Sequence, residues 1–570
     1  MHLIRQDSVT TPVARPPRLG DSLFLVIVVL LSATPYLTSL GFYSDDWYFF
    51  LARFHSANEQ SVWGFLRAAY ALQIQWMRPV QILYIAMMYD SFGLNPLGYH
   101  IVNIVMIALA SVGFYHCLTE LQMPRPLALA TPLIYSLLPH YSASRFWVSA
   151  SQANLHMALM FLSSYSLMRA CRRESGAYAW LALSCLAMWL SILAYEVAVP
   201  LFIVAPLLVL YRLRSKGKKS LRLVLVMCAL YFLSFGFLVA LKGVSSSRLA
   251  VVDAEGQQIV SFGIRRLFHL GLPADAYGLN IERAIAVNFG TLGLEMPRIA
   301  WKSVNMTGGL LAGSALFLVV VTLYLFATLA IHDWPSVFFW WSSVAAGLVM
   351  FATGYSIFLV TSDIQFTAAG IGNRIAIAAT VGVALIFTGC TGLLTSSIRS
   401  ERGRRLIFSV VVGLMSTASF AIVSRVAIDW AKAWPLQLAV LHDIRERLPK
   451  LPAGSSLILD GVCPYIGPAI VFENSDDLTG ALQILYRDPK LKADVVTPRL
   501  KFGPLGVTTT TYDSVAHYPY GTDLLLFNRK ENFVISLVDF ATTQRYFERW
   551  NPTGDGGCPP AHEGLGVRIF

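Results

Sequence analysis

From Leu23 to Leu40 the chain runs eighteen residues without a charge, and comparable apolar runs recur along most of its length. A helix crossing the hydrocarbon core of a bilayer needs about 20 such residues. There the backbone must satisfy its own hydrogen bonds, which a helix does. The recurrence dictates a polytopic helical membrane protein. Composition agrees: 14% of residues are charged, against about 25% in a soluble domain, and mean hydropathy is +0.57. The net charge of +11 comes in short basic clusters between apolar runs, as in RLRSKGKK and RSERGRR. Such clusters mark cytoplasmic loops, so no nucleic-acid partner is expected.

Clear spans are expected at 22–40, 97–118, 150–170, 177–195, 221–242, 308–331, 336–360, 375–395 and 405–424, with shorter ones at 126–141 and 197–211. Residues 79–89 are ambiguous, and charge resolves them. Arg5, Arg15, Arg18, Arg125, Arg172, Arg173 and the clusters at 212–222 and 399–405 all fall on the cytoplasmic side only if 79–89 does not cross. With Arg78, Gln81 and Asp90 around a short apolar run, 79–89 reads as an amphipathic helix on the outer surface. The expected fold is a bundle of about eleven transmembrane helices. It comprises a cytoplasmic N-terminus at 1–21, a membrane module at 22–425 and an extracytoplasmic C-terminal domain at 426–570. Outer loops lie at 41–96 and 243–307. In the C-terminal region SSLILD, DVVTP, DLLLF and FVISLV read as strands of a small α/β domain.

The first apolar run continues past Pro35 into YLTSL, which argues for an uncleaved span rather than a secretory signal. The seven cysteines show no metal-ligand spacing. Five lie in or beside apolar runs as packing residues. Cys463 and Cys558 could pair in an oxidising compartment, and spacing alone leaves that open.

Two aspartates, Asp45 and Asp46, follow the first span in GFYSDDWYF. Ionised carboxylates are costly in hydrocarbon, so the pair belongs at the membrane surface, on the outer side in this topology. Glu196 falls on the same side at a helix hairpin. Arg78, Arg145 and Arg374 lie at outer ends of membrane segments, with His140 and His156 near Arg145. A carboxylate can take a proton from an attacking hydroxyl, and arginines can grip a phosphate and stabilise it as it leaves. Plainer readings stand beside these. Paired acids after a span are often solvated loop residues. Glu196 suits a helix N-terminus, Arg374 an interfacial anchor, and Arg78 the start of a helix opened by Pro79. His140 and His156 suit packing better than metal binding, because no third ligand is suitably spaced.

The ordered set SDDW, RPVQILYIAMMYDSFGLNPLGYHIVN, AYEVAVPLF and GNRI, spread over about residues 20–400, resembles the GT-C superfamily of membrane glycosyltransferases. The nearest likeness is to protein O-mannosyltransferase-like and lipid A aminoarabinose transferase-like members. The resemblance implies a GT-C-like bundle that moves a sugar from a polyprenyl-phosphate donor to an acceptor glycan, lipid or protein on the outer face, with inversion. It implies a first-loop aspartate, Asp45 or Asp46, as general base, and Glu196 orienting the acceptor or supporting the site. It also puts Arg374, with Arg78, at the lipid phosphate. Some relatives use a divalent cation; two acids are an incomplete set for one, and no metal site is assigned. Membrane lipids are expected partners, and a bacterial cytoplasmic (inner) membrane is the expected location. The rival readings are a flippase or transporter of lipid-linked saccharide, an oligosaccharide polymerase or ligase, and a non-catalytic assembly subunit. A flippase would want charges near the bilayer midplane, where these spans have few.

Overall fold

The computed structural model describes residues 18–70, 78–172, 176–213, 218–247, 250–252, 258–261, 274–305, 309–329, 334–359, 366–511 and 514–550. Each of the eleven expected spans overlaps a helix, though 22–40, 126–141 and 197–211 do so only in part: Leu19–Ala33, Pro96–Glu120, Arg125–Leu137, Gln152–Arg172, Ala177–Ala194, Val204–Leu213, Lys218–Ser247, Leu310–Thr328, Val337–Leu359, Thr380–Ser396 and Glu401–Arg447. Among the described residues six are long and apolar enough to cross a membrane. A seventh qualifies if Thr380–Ser396 is counted with the 3₁₀ segment Ile371–Ile377, from which it bends by 67°. The others differ for visible reasons. Leu19–Ala33 and Arg125–Leu137 have 15 and 13 residues. Gln152–Arg172 buries Gln152, Asn154 and His156 against its neighbours instead of presenting a uniformly apolar face.

Local sequence sets the helix starts. Asn95 caps the Pro96–Glu120 helix by accepting from the Leu97 amide, with proline in the first turn. Ser400 caps Glu401–Arg447 through the Gly403 amide. Residues 79–89 fall in the helix Pro79–Phe92, which buries Gln81, Ile82, Ile85, Ala86, Met88 and Tyr89. Close helix packing relies on small residues: a Cβ at Gly382 would meet the Phe351 amide nitrogen at 2.3 Å, so Val337–Leu359 and Thr380–Ser396 can touch only with glycine there.

The last helix runs well past the apolar run that predicts it. Glu401–Arg447 is a single helix of 47 residues, roughly 70 Å long at 1.5 Å per residue. That is more than twice a hydrocarbon core of about 30 Å. The expected division at 425/426 falls inside it. The charges that begin at Arg425 mark where apolar sequence stops, not where the helix stops. Arg425 and Asp429 pair at 2.7 Å one turn apart, which favours continuation.

The C-terminal domain sits on the far end of this helix. Its sheet runs Phe533–Ser536, Leu524–Asn528, Ser456–Asp460, Lys492–Val495, with the first pairing an antiparallel hairpin and the other two parallel. These strands are the four expected apolar runs. Ser475–Tyr486 forms the crossover helix, opened by a capping box between Asn474 and Asp477. A second antiparallel sheet, Leu500–Gly503, Gly506–Thr511 and Ser514–Pro519, comes from threonine-rich sequence that gave no clear strand signal. Cys463 is disulfide-bonded, while Cys558 lies outside the described residues. Arg265 and Arg266 of the 243–307 loop also lie outside them.

Candidate functional site

The first loop leaves the Leu19–Ala33 helix and packs against the projecting part of Glu401–Arg447. The Tyr43 hydroxyl donates to the Trp430 carbonyl at 2.7 Å. Ser44 has φ of 48°, a left-handed conformation uncommon for a residue with a Cβ. A π-helical stretch, Asp46–Ala52, follows at once; such wide turns are frequent at functional sites.

This geometry sends the two aspartates to different surroundings. Asp46 is buried, with 1% of its surface exposed. Its carboxylate accepts from the Tyr43 amide at 2.9 Å, from the Ser149 amide at 2.6 Å and from the Ser149 hydroxyl. Burial pushes its pKa up to about 7, against the pull of those hydrogen bonds. Asp46 ties the first loop to the segment before Gln152–Arg172. Asp45 instead faces a cleft of about 240 Å³ lined also by Arg78, Gln81, Trp147, Ser149, Gln152, Tyr195, Glu196 and Arg374. Burial raises its pKa above the ordinary carboxylate value, and Arg374 and Arg78 hold it back.

The two cleft arginines differ. Arg78 grips Glu196 through Nε at 3.2 and 3.1 Å and through Nη2 at 2.9 Å, and it lies over the Tyr195 ring at 4.7 Å. Burial works against its charge, but Glu196 and its neighbours raise its pKa overall. Arg374 stacks on Trp147 with 4.6 Å between guanidinium and ring centre. Among the described residues its N–H groups meet no acceptor, so a full set of donors is left for a ligand. Trp147 Nε1 and Gln152 Oε1 are likewise buried in the cleft lining without a partner.

One support, Asn373, was not anticipated, and the other, His156, takes the packing role set out above. Asn373 is buried beside Arg374. It accepts from the Ala143 amide at 3.0 Å and donates to the Ser142 hydroxyl at 2.8 Å and to the Pro139 carbonyl at 3.3 Å. It thus staples the 3₁₀ turn carrying Arg374 to the 139–143 segment. His156 does the same for the Glu196 hairpin: Nε2 accepts from the Ala198 amide at 2.9 Å while Nδ1 meets the Ser191 carbonyl at 2.9 Å. With Nε2 an acceptor, Nδ1 carries the proton and the imidazole is neutral.

Of the expected site residues, Asp45, Arg78, Glu196 and Arg374 line one cleft. Asp46 borders it from inside. Arg145, His140 and His156 do not line it. Arg145 is 1% exposed, stacks on Tyr141 and donates to the Ser136 carbonyl. His140 Nε2 meets the Asn288 carbonyl at 3.0 Å. These three turn into the bundle because hydrogen-bond partners await them there, which a helix-end position does not reveal. The acid pair does not suit a divalent cation. Asp46 has its oxygens committed to Tyr43 and Ser149, and Asp45 looks onto two arginines. Among the described residues one three-group cluster, His442, Asp443 and Glu446, could share an ion. It lies on the outside of the long helix, and Arg529 holds Asp443 at 2.7 Å.

No family model matches the chain, and no curated protein does. Among solved structures it is similar to ArnT from Cupriavidus metallidurans bound to undecaprenyl phosphate, with TM-score 0.34 and 12% identity over 82% of this chain and 84% of that one. The apo state of that protein gives 0.32 and 12% over the same shares. At these TM-scores the likeness carries no weight for the role of any residue.

Proposed function

We propose that the chain is an integral membrane glycosyltransferase that moves a sugar from a polyprenyl-phosphate donor to a hydroxylated acceptor at the outer face of a bacterial inner membrane. One observation carries the reading: Asp45, without a hydrogen-bond partner among the described residues, and Arg374, with its donors unfilled, share one cleft at the end of the membrane module. The ordered motifs SDDW, AYEVAVPLF and GNRI support it. Basic residues favour the cytoplasm, and Arg125, Arg172 and Arg404 sit at the opposite end of the helices from the cleft, which supports an outward-facing site.

In this reading the acceptor O–H gives its proton to the Asp45 carboxylate as its oxygen forms a bond to the anomeric carbon. The bond from that carbon to the phosphate oxygen breaks, and its electron pair leaves with the polyprenyl phosphate. Attack opposite the leaving group inverts the centre. Arg374 meets the growing phosphate charge, with Arg78 beside it. The raised pKa of Asp45 makes it a stronger base than an exposed aspartate. The Gln152 amide takes a sugar hydroxyl in this reading, and the walls of the cleft limit attack by water. Asp46 shapes the loop, and Glu196 holds Arg78.

The test is binding of polyprenyl phosphate to full-length protein in nanodiscs. A charge-assisted hydrogen bond contributes about 1.5–3 kcal/mol, so Arg374→Ala should weaken binding by roughly 10- to 100-fold. Unchanged affinity would remove the arginine from the phosphate site.

A further inference from the structure

The C-terminal domain reaches the cleft loop at one buried acid. Glu473, 9% exposed, accepts from the Ser44 hydroxyl at 2.8 Å with one oxygen and from the Tyr465 hydroxyl at 2.6 Å with the other. Ser44 is the residue in the left-handed conformation immediately before Asp45. Such a conformation costs on the order of 1 kcal/mol or more and persists only where its surroundings hold it. The hydroxyl–carboxylate contact holds it here together with the Asp46 carboxylate on the Tyr43 amide and the Trp47 amide on the Ser44 carbonyl.

The same domain grips the loop on the other side of Asp45. The Ser475–Tyr486 helix packs on the π-helical stretch so closely that a Cβ on Gly480 would meet the Trp47 carbonyl carbon and Tyr48 nitrogen at 2.5 Å. Trp47 Nε1 donates to Gln437 Oε1 at 3.2 Å, and Gln437 Nε2 donates to the Ile470 carbonyl at 3.3 Å. The domain also nears the arginine side. Gly370, with φ of 84°, opens the turn carrying Arg374, and a Cβ there would lie 3.6 Å from the Pro468 carbonyl oxygen. One short segment, 465–480, thus abuts both the loop of the acid and the turn of the arginine.

We propose that Glu473 is a positioning residue that fixes Asp45 through Ser44, so that the C-terminal domain is part of the transfer site and not an appendage. This rests on the glycosyltransferase reading. Glu473 does not line the cleft; it acts on substrate only through the loop. Burial raises its pKa and the nearby Asp45 charge raises it further, against the pull of the Tyr465 and Ser44 hydrogen bonds and the Arg374 charge, while Asp476 and Asp477 are the other acids that face it. Its loss is therefore expected to move the acid limb of the rate profile as well as the rate.

The experiment uses full-length protein in nanodiscs with lipid-linked sugar as donor and the hydroxylated lipid and glycan fraction of host membranes as acceptor, following release of polyprenyl phosphate. Separate binding of polyprenyl phosphate and thermal unfolding are measured alongside. Glu473→Ala is expected to lower the turnover rate by about tenfold or more while lipid affinity stays within about twofold. Glu473→Gln keeps an acceptor for Ser44 and should recover most of that rate, with its acid limb shifted to lower pH. Ser44→Ala, which keeps a Cβ at this left-handed position, should lower the rate as well, and adding it to Glu473→Ala should cost little more than Glu473→Ala alone, because the contact it breaks is already gone. Full rate in Glu473→Ala, additive losses in the double variant, or equal losses of rate and lipid affinity would each overturn the proposal. Asp45→Asn is the separating control. If it transfers normally the underlying reading fails, whereas if it is inactive and Glu473→Ala is not, only the positioning role fails.

Discussion

Each end of the helical module holds an aspartate near arginine, and the two ends treat the charges oppositely. At one end Asp21, in the first turn of its helix, is saturated. Arg125 donates to it at 2.6 and 3.0 Å, and the Tyr115 and Tyr324 hydroxyls do so at 2.9 Å each. Four helices are joined by one carboxylate, and nothing is left over for a ligand. At the other end Asp45 has charge nearby but no hydrogen bond among the described residues, and Arg374 rests on an aromatic ring. Buried polar groups are normally satisfied. A saturated ion pair reads as structure, and an unsaturated one held open by neighbours reads as a site awaiting charge.

That contrast can be broken. Removing one partner of a buried ion pair typically costs ~3–5 kcal/mol, so Asp21→Ala should lower the thermal unfolding temperature sharply, whereas Arg374→Ala should leave it nearly unchanged. Equal effects would erase the distinction. Asp46 supplies a pH test. Its folded-state pKa, raised to about 7, exceeds the unfolded value near ~3.9. The native state therefore binds the proton more tightly, and its stabilising contribution is complete below the unfolded value and lost as pH rises through about 7. Stability should fall over that window by up to a few kcal/mol, and Asp46→Asn should flatten the slope. A steep slope surviving in the variant would place its origin elsewhere.

Smaller effects sharpen the picture. Asn373→Ala strips the Ala143 amide of its acceptor, at a cost of ~1–3 kcal/mol, and should also weaken polyprenyl phosphate binding by loosening the Arg374 turn. Loss of stability with unchanged binding would show that the turn does not need the staple. Glu196→Gln releases Arg78 from its charged partner, and lipid affinity should then rise a few-fold, by ~1 kcal/mol or less. A fall in affinity would mean that Glu196 holds Arg78 in its binding position.

The sequence made the membrane module legible because apolar run length is a direct physical requirement of the bilayer. The strands SSLILD, DVVTP, DLLLF and FVISLV were readable for a similar reason, being short apolar runs between turn residues. The gathering of Asp45, Arg78, Glu196 and Arg374 followed from placing each loop on one side of the membrane. What could not be read was direction. Arg145 and Arg374 occupy similar helix-end positions, yet one turns to the Ser136 carbonyl and the other to a cleft. Asp45 and Asp46 are adjacent in sequence, and only the left-handed Ser44 and the π-helical turn send them apart. Glu473 was invisible because it meets Ser44 from 429 residues away. The length of the last helix was not legible because charge onset marks the end of apolar sequence and not of helix.

The most direct measurement is the turnover of lipid-linked sugar by Asp45→Asn, with polyprenyl phosphate binding measured on the same preparation. Loss of a general base is expected to cut turnover by about 10²- to 10⁴-fold, with lipid affinity retained because Arg374 and Arg78 remain. Turnover near that of the unaltered protein would contradict the assignment of Asp45 as the base.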